Sequence, residues 1–558
     1  MRRAVCRDRA VLPVGPVRRV ALVALAVVAL GCTSTADEAP SGDEEAEPAT
    51  TADGPVHGGT LTVALEAETS GWTPWEDALA ASGMTVARSF YETLLERDHE
   101  GVLRPNLAAS FEANDDHTAF TLTLREGITF HDGEPLDAEA VVANLSIFLR
   151  PGTAPAGPIE AVEVVDEMTV RIQLERPHVA FGDMLAGQAG FMVSPAALET
   201  ARTEPVGTGP FVFDSWLRDQ QLVVVRNEDY WRDGLPYLDE IVFRPIPDEE
   251  SRLLSLQSGD VDVLQSLLPA TVAKVRELGD DFVAHEHVGS EAGATIYNVT
   301  RPPLDDVRIR RAVAHGLDGE AITEALGGTG VSKPARGVFH PDSPWFDAEA
   351  AEGWPQYDPD TARALVEQYV ADPERSDGRP VGSAPQFTVD LPPDPALIDT
   401  ASVYQDLLGR VGFEVDIRTV EQAVHIQQAI GQPPDFIGDF DAKFWRLGSD
   451  ADPNWMAAWF APGSPINFTN FEHDELVEVL DVAQQTVDED ERRALYRRAT
   501  EIFAEYVPFT VGSHTVSVLA TVSGVHGLDD WRLPDGERGI GHPGAQGRWH
   551  EVWRDPAA

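Results

Sequence analysis

At 558 residues the chain exceeds what one hydrophobic core sustains, since such cores stop growing near roughly 250–300 residues, so two or more packed units are expected. Its apolar fraction of 43% suits a globular protein. With 93 acidic against 42 basic residues the formal charge is −51, which argues against nucleic acid as a partner and against docking on anionic lipid through a basic patch. Such a surface fits a salty, screening medium, or a field that gathers cationic solutes. The cysteines are Cys6 and Cys32. A cut before Cys32 leaves one thiol, hence no internal disulfide and no zinc site built on paired cysteines.

The first 31 residues read as an address. Arg2, Arg3, Arg7, Arg9, Arg18 and Arg19 precede an apolar run from Val20 to Leu30 that ends at Gly31-Cys32. The run is shorter than the roughly 20 apolar residues a spanning helix needs. Ala29-Leu30-Gly31-Cys32 resembles a bacterial lipobox, with Ala29 where leucine is commoner. That resemblance implies acylation of Cys32, cleavage before it, and a protein tied by lipid to the outer face of the cell membrane or within the periplasm; cleavage with release is the alternative. Residues 32–59 are small, polar and acidic, a composition expected to stay disordered as a tether.

Alternation over Leu61–Leu65 predicts a first strand, and Phe120, Leu122 and Leu124 predict a half-buried one. A turn is expected at Asp132-Gly133. The apolar run Leu222–Val225 predicts a strand buried on both faces. After Asp305-Asp306, the spacing of Ile309, Ala312, Val313, Gly316 and Leu317 predicts an amphipathic helix. Asp488 with Glu491 reads as a capping box, followed by the buried face Leu495, Ala499, Ile502, Phe503 and Tyr506. Strands and helices mix along the whole length, which makes the fold class α/β.

Signatures of catalysis are absent from the sequence. It contains no His-Glu-x-x-His, no Gly-x-Ser-x-Gly and no phosphate-binding Gly-x-x-x-x-Gly-Lys. His285-Glu286-His287 offers two histidines on one strand face without a specified third ligand. Asp450, Asp452 and Asn454 start like a calcium loop, but Trp455 and Ala461 break the pattern. Asp248-Glu249-Glu250 reads as a solvated helix start. No metal, no cofactor and no enzyme activity are expected.

Ordered motifs along residues 58–553 resemble family 5 of the bacterial extracytoplasmic solute-binding proteins, which contains oligopeptide-, dipeptide- and nickel-binding receptors of ABC importers. They are Tyr91-Glu92-Thr93-Leu94-Leu95-Glu96, Leu103-Arg104-Pro105-Asn106-Leu107-Ala108, Leu124-Arg125-Glu126-Gly127-Ile128-Thr129-Phe130-His131-Asp132-Gly133, and Pro205-Val206-Gly207-Thr208-Gly209-Pro210-Phe211. Arg226-Asn227, Tyr230-Trp231, Leu256-Gln257-Ser258-Gly259-Asp260-Val261-Asp262, Arg301-Pro302-Pro303-Leu304-Asp305-Asp306-Val307-Arg308, Tyr357-Asp358-Pro359 and Asp452-Pro453 follow. Gly207 and Gly209 suit a left-handed or close-approach backbone.

The resemblance implies a two-lobed periplasmic-binding-protein-like fold (type II, cluster C) with an extra inserted domain and a ligand cleft between lobes. The expected division is 60–88, 201–286 and 506–558 for the first lobe, 89–200 for the insert and 287–505 for the second lobe. It implies a monomer that closes on a peptide or peptide-like solute and delivers it to an ABC permease and ATPase. A non-peptide solute (a sugar or nickel chelate) is an alternative, as is a secreted hydrolase or surface chaperone on the same fold. Peptide receptors of the family pair the ligand ammonium with an aspartate four positions before a proline. Here Ser449 stands four before Pro453 and Asp450 is one residue late, so Asp450 is the candidate. Phe444, Trp445 and Trp72 are candidate walls, Tyr297 and Asn298 lie where the family leaves a strand near the cleft, and Arg336 is a candidate carboxylate partner.

Overall fold

The computed structural model describes residues 54–556, apart from 78, 151–156, 433–435 and 449–451. The expected signal, Cys6, Cys32, most of the tether and Asp450 lie outside these. Ten strands form one sheet in the order Glu414–Thr419, Gln386–Leu391, Ala442–Leu447, Phe282–Tyr297, Phe509–Val522, Val263–Ser266, Thr60–Leu65, Glu240–Pro245, Gln221–Arg226, Phe211–Leu217. Thr60–Leu65 is the alternating segment anticipated above, and it runs parallel to both of its neighbours. Residues just before it are already tied down, since Gly58 N donates to Tyr237 O and Gly59 N to Asp239.

The strands Phe282–Tyr297 and Phe509–Val522 carry the sheet from one lobe to the other. Phe282–Val288 pairs with Val516–Val522 in the first lobe, and Ala294–Ile296 with Phe509–Val511 in the second. Register slips between Val288 and Ala294. A bulge of this kind bends a ladder and interrupts its pairing. The lobes are thus two halves of one sheet with an irregular waist.

Each half buries its own core. Leu61, Val63, Phe90, Phe211, Val224, Ile241 and Trp549 fill the first lobe. Tyr297, Ile309, Val313, Tyr404 and Leu408 fill one side of the second, with Ile296, Phe440, Ile502, Phe503 and Phe509 on the other. An inserted domain has a separate antiparallel sheet ordered Ala108–Ala113, Ala119–Leu124, Thr169–Leu174, Ile159–Asp166, with a core around Phe120, Leu122, Val141, Ile172 and Phe181. Each such side chain, fully buried, stabilises by about 1.5–3 kcal/mol.

Local signals act as their chemistry requires. Asp488 accepts from Glu491 N at 2.9 Å and starts the helix Glu489–Tyr506. Asp306 caps Val307–Gly316, beginning just after the Pro302-Pro303 step. Asp248 caps Glu249–Ser258, but Glu249 is not solvated as expected. It turns inward to Arg252 and accepts from Ser266 Oγ at 2.7 Å.

Candidate ligand cleft

The family-like motifs converge on one bolted frame in the first lobe. His131 N donates to Gly207 O at 2.8 Å, and its Nε2 lies 3.0 Å from Gly209 O. Burial lowers the His131 pKa to about 4, so the ring is neutral. A Cβ at Gly207 would lie 2.0 Å from Phe90 O, and one at Gly209 2.6 Å from Phe90 C. Close approach, rather than left-handed backbone, is what these two glycines supply. Glu92 accepts from Tyr230 Oη at 2.8 Å, Trp231 Nε1 at 2.9 Å and Thr208 Oγ1 at 3.0 Å. These residues hold architecture.

In the arrangement the family resemblance implies, the cleft lies between the lobes, beside the crossing strands. The first lobe offers the segment after Thr60–Leu65. Glu66 accepts from Leu267 N at 2.7 Å, and Glu68 from Trp216 Nε1 at 2.7 Å. Trp72 is buried here against Phe90 and Trp216, its Nε1 without a partner, beside a recess also lined by Glu68, Thr69 and Ser82. The second lobe offers the end of Ala442–Leu447 and the residues behind it.

On that strand Phe444 and Trp445 are neighbours, so their side chains leave opposite faces of the sheet. Phe444 packs on Tyr404 in the core that contains Tyr297. Trp445, half-buried, stacks on His425 at 5.5 Å and tilts against Phe468 at 4.9 Å. The His425 ring is fixed by Nε2 on Phe444 O at 3.0 Å, and burial next to Lys443 lowers its pKa to about 4. Lys443 itself is 0% exposed and donates to Asp390 and Gln428, each at 3.2 Å. This buried polar set backs Trp445 and was not singled out from sequence, where Lys443 registers only as one of three lysines.

The structure separates the remaining candidates. Tyr297 is buried, its Oη bonded to Thr510 and Tyr404. Asn298 donates to Gly438 O at 2.9 Å and accepts from Thr300 Oγ1 at 2.7 Å, holding a turn. Arg336 is exposed one residue beyond Ala335, whose N donates to Gly512 O at 2.7 Å on the second crossing strand. Asp452 pairs with Arg492 at 2.5 Å, both nearly buried. His285 is bonded to Asp529, which also takes His542 at 2.9 Å, and no group of three that could hold a metal is present among the described residues.

The lobes touch in two places. At one, Gly327 sits where a Cβ would come within 2.7 Å of Ala270 Cβ, and Arg276 donates to Gly330 O at 3.0 Å. At the other, Val179 N of the insert donates to Gln484 O at 2.8 Å. Two lobes on one sheet, an irregular waist and a contact between the insert and the second lobe form the architecture of the periplasmic-binding-protein type.

The chain belongs to family 5 of the bacterial extracellular solute-binding proteins, whose middle-region model matches residues 102–468. The glutathione-binding protein GsiB of Salmonella paratyphi A is 28% identical over 485 residues, covering 82% of this chain and 89% of its own. Among solved structures, AgaA in complex with agropinic acid from A. tumefaciens R10 is 24% identical with TM-score 0.77, covering 90% of this chain and 99% of its own. DppA from Helicobacter pylori in complex with peptide STSA is 22% identical with TM-score 0.76 and the same coverage. The protein is accordingly the extracytoplasmic solute-binding component of an ABC importer, and its relatives are receptors rather than enzymes. Among the described residues no helix is long and apolar enough to cross a membrane.

Proposed function

We propose that this receptor captures a short peptide or peptide-like solute between its lobes and hands it, unaltered, to the permease and ATPase of its importer. What supports this is the two-lobed fold with the insert touching the second lobe, and the half-buried Trp445 near the crossing strands, in a chain whose relatives are named for glutathione and peptide binding. A flat apolar wall accepts varied side chains while backbone-directed polar groups fix orientation. In this reading Trp445 contacts the solute, exposed Arg336 meets its carboxylate and Asp450 its ammonium. Phe444, Tyr297, Asn298 and Trp72 shape the walls from behind. Solute shifts the open–closed balance only by its preference for the closed form, and closure is what the importer reads.

Thermal-shift screening with glutathione, di- to octapeptides, simple sugars and nickel chelates tests this directly. Stabilisation by peptides or glutathione is expected; stabilisation by sugars or nickel chelates alone would overturn the solute class. We also propose that Cys32 carries lipid that holds the receptor at the membrane. Cys32→Ala should release it to the medium or periplasm, and retention of that variant at the membrane would refute the anchor.

A further inference from the structure

The insert's segment 176–183 lies against the second lobe. Arg176 pairs with Asp481, Val179 N donates to Gln484 O at 2.8 Å, and Asn454 Nδ2 reaches Ala180 O at 3.5 Å. His178 is enclosed in this contact, 3% exposed, with Nε2 3.4 Å from Gln484 Nε2. Gln484, 7% exposed, also reaches Asn454 O at 3.5 Å. Neither His178 Nδ1 nor Gln484 Oε1 has a partner. Two lobes therefore bury imperfectly paired polar groups against each other, a contact whose strength depends on the charge placed in it.

We infer that segment 176–183 is a latch that holds the two lobes shut, and that protonation of His178 loosens it, so that closure weakens as the medium becomes acidic. This rests on the closure reading above. The charged groups acting on His178 are Arg176 from its own side and Arg492 from the second lobe, paired respectively to Asp481 and Asp452; Asp183 lies within reach of Arg97, Asp452 and Arg492, and His117 accepts His178 N through its carbonyl at 3.1 Å. Arg176 and Arg492 are each paired to a carboxylate, so a third positive charge between them is left with the neutral Gln484 amide oxygen in place of a carboxylate.

Burial first, then Arg176 and Arg492, lowers the His178 pKa to about 4. With the lobes apart and the ring in water, it titrates near its ordinary value of about 6.5. The open form then takes up a proton that the closed form refuses, and closure is lost progressively as pH falls below about 6.5. Asp183 works the other way. Burial, with Asp452 adding to it against Arg97 and Arg492, pushes its pKa up to about 6, so its protonation favours closure.

Double electron–electron resonance on the whole protein tests this without any solute, so failure to bind peptides cannot be mistaken for failure of the latch. Nitroxides go on Glu163→Cys of the insert and Val487→Cys of the second lobe, both exposed, with Cys6 and Cys32 changed to serine. A short-distance population is expected at pH 7.5; at pH 5 the closed-to-open ratio should fall by about 30-fold in Asp183→Asn, where His178 acts alone, and by only about threefold in the wild type, where Asp183 opposes it. His178→Gln should keep its short-distance population at both pH values, Asp183→Asn should steepen the response, and Asp481→Arg, facing Arg176, should deplete that population at both. No short-distance population at pH 7.5, an unchanged pH response in His178→Gln, or a closed Asp481→Arg would each overturn the latch.

Discussion

Asp390 is 0% exposed and accepts from Arg418 at 2.6 and 2.7 Å and from Lys443 at 3.2 Å. Without it, the Lys443 ammonium keeps only Gln428 and the edge of His425 in a site from which water is excluded. Breaking a buried pair by removing one partner costs about 3–5 kcal/mol. Asp390→Ala should therefore lower the urea-unfolding free energy by that amount, whereas Asp390→Ala with Lys443→Met should recover much of it; equal losses would show that the charge is not the cause. Glu249 carries a second residue-scale prediction. Burial, aided by Glu66 and by Asp394 of the other lobe, pushes its pKa up to about 7 against the pull of Arg252. A raised carboxyl contributes stability while protonated, fully present below about 4.5 and lost as pH rises through about 7. Glu249→Gln should gain on the wild type by roughly 2–3 kcal/mol between pH 4.5 and 7.5, read from paired denaturation curves.

At the scale of elements, the contact between Gly327 and the helix Pro269–Arg276 is a test of how the lobes seat. Gly327 has φ +67°, and an alanine there would be strained by about 1–2 kcal/mol besides pressing Cβ onto Ala270. Backbone strain is common to the open and closed forms, but the steric contact belongs to the closed one. Gly327→Ala should therefore weaken binding of the solute found by screening, by about tenfold, beyond its effect on Tm. An unchanged Kd would mean this contact persists on opening. The elements themselves were legible in unequal measure. Thr60–Leu65, Ala119–Leu124 and the caps at Asp306 and Asp488 follow from alternation and local hydrogen bonding, which a short sequence window contains. The waist does not. Phe282–Tyr297 carries His285, Glu286, His287, Glu291 and several small residues, and its partner Phe509–Val522 lies more than two hundred residues on, so only tertiary pairing makes it a strand. The same holds for the site. Trp445 stands out as an aromatic, but nothing local reveals that His425, Lys443 and Asp390 support it, or that His178 meets Gln484. The motif His131-Asp132-Gly133 reads as a turn, which it is, while its attachment to Gly207 and Gly209 depends on a segment far along the chain.

For the whole molecule the dominant long-range quantity is the charge of −51. Arginine–carboxylate pairs such as Arg498–Glu475 and Arg276–Glu286 are scattered over the surface, but 42 bases cannot neutralise 93 acids. Exposed pairs of this kind contribute about 0.2–1 kcal/mol each and weaken in salt, whereas unpaired acids repel one another in every compact state. The two effects respond oppositely to ionic strength, so salt decides which wins. At low salt, near 0.01 M, repulsion reaches about 30 Å and spans a lobe; at 1 M it reaches about 3 Å and only direct neighbours remain. With the excess of acids this large, relief of repulsion should outweigh loss of the pairs, and Tm should climb by several degrees between 0.01 and 1 M KCl before levelling. Matching the osmolality with sucrose separates screening from general exclusion effects, because sucrose leaves charges unscreened. A fall in Tm with KCl, or an equal rise in sucrose, would show that paired charges or solvent exclusion, and not acid–acid repulsion, govern the stability of this fold.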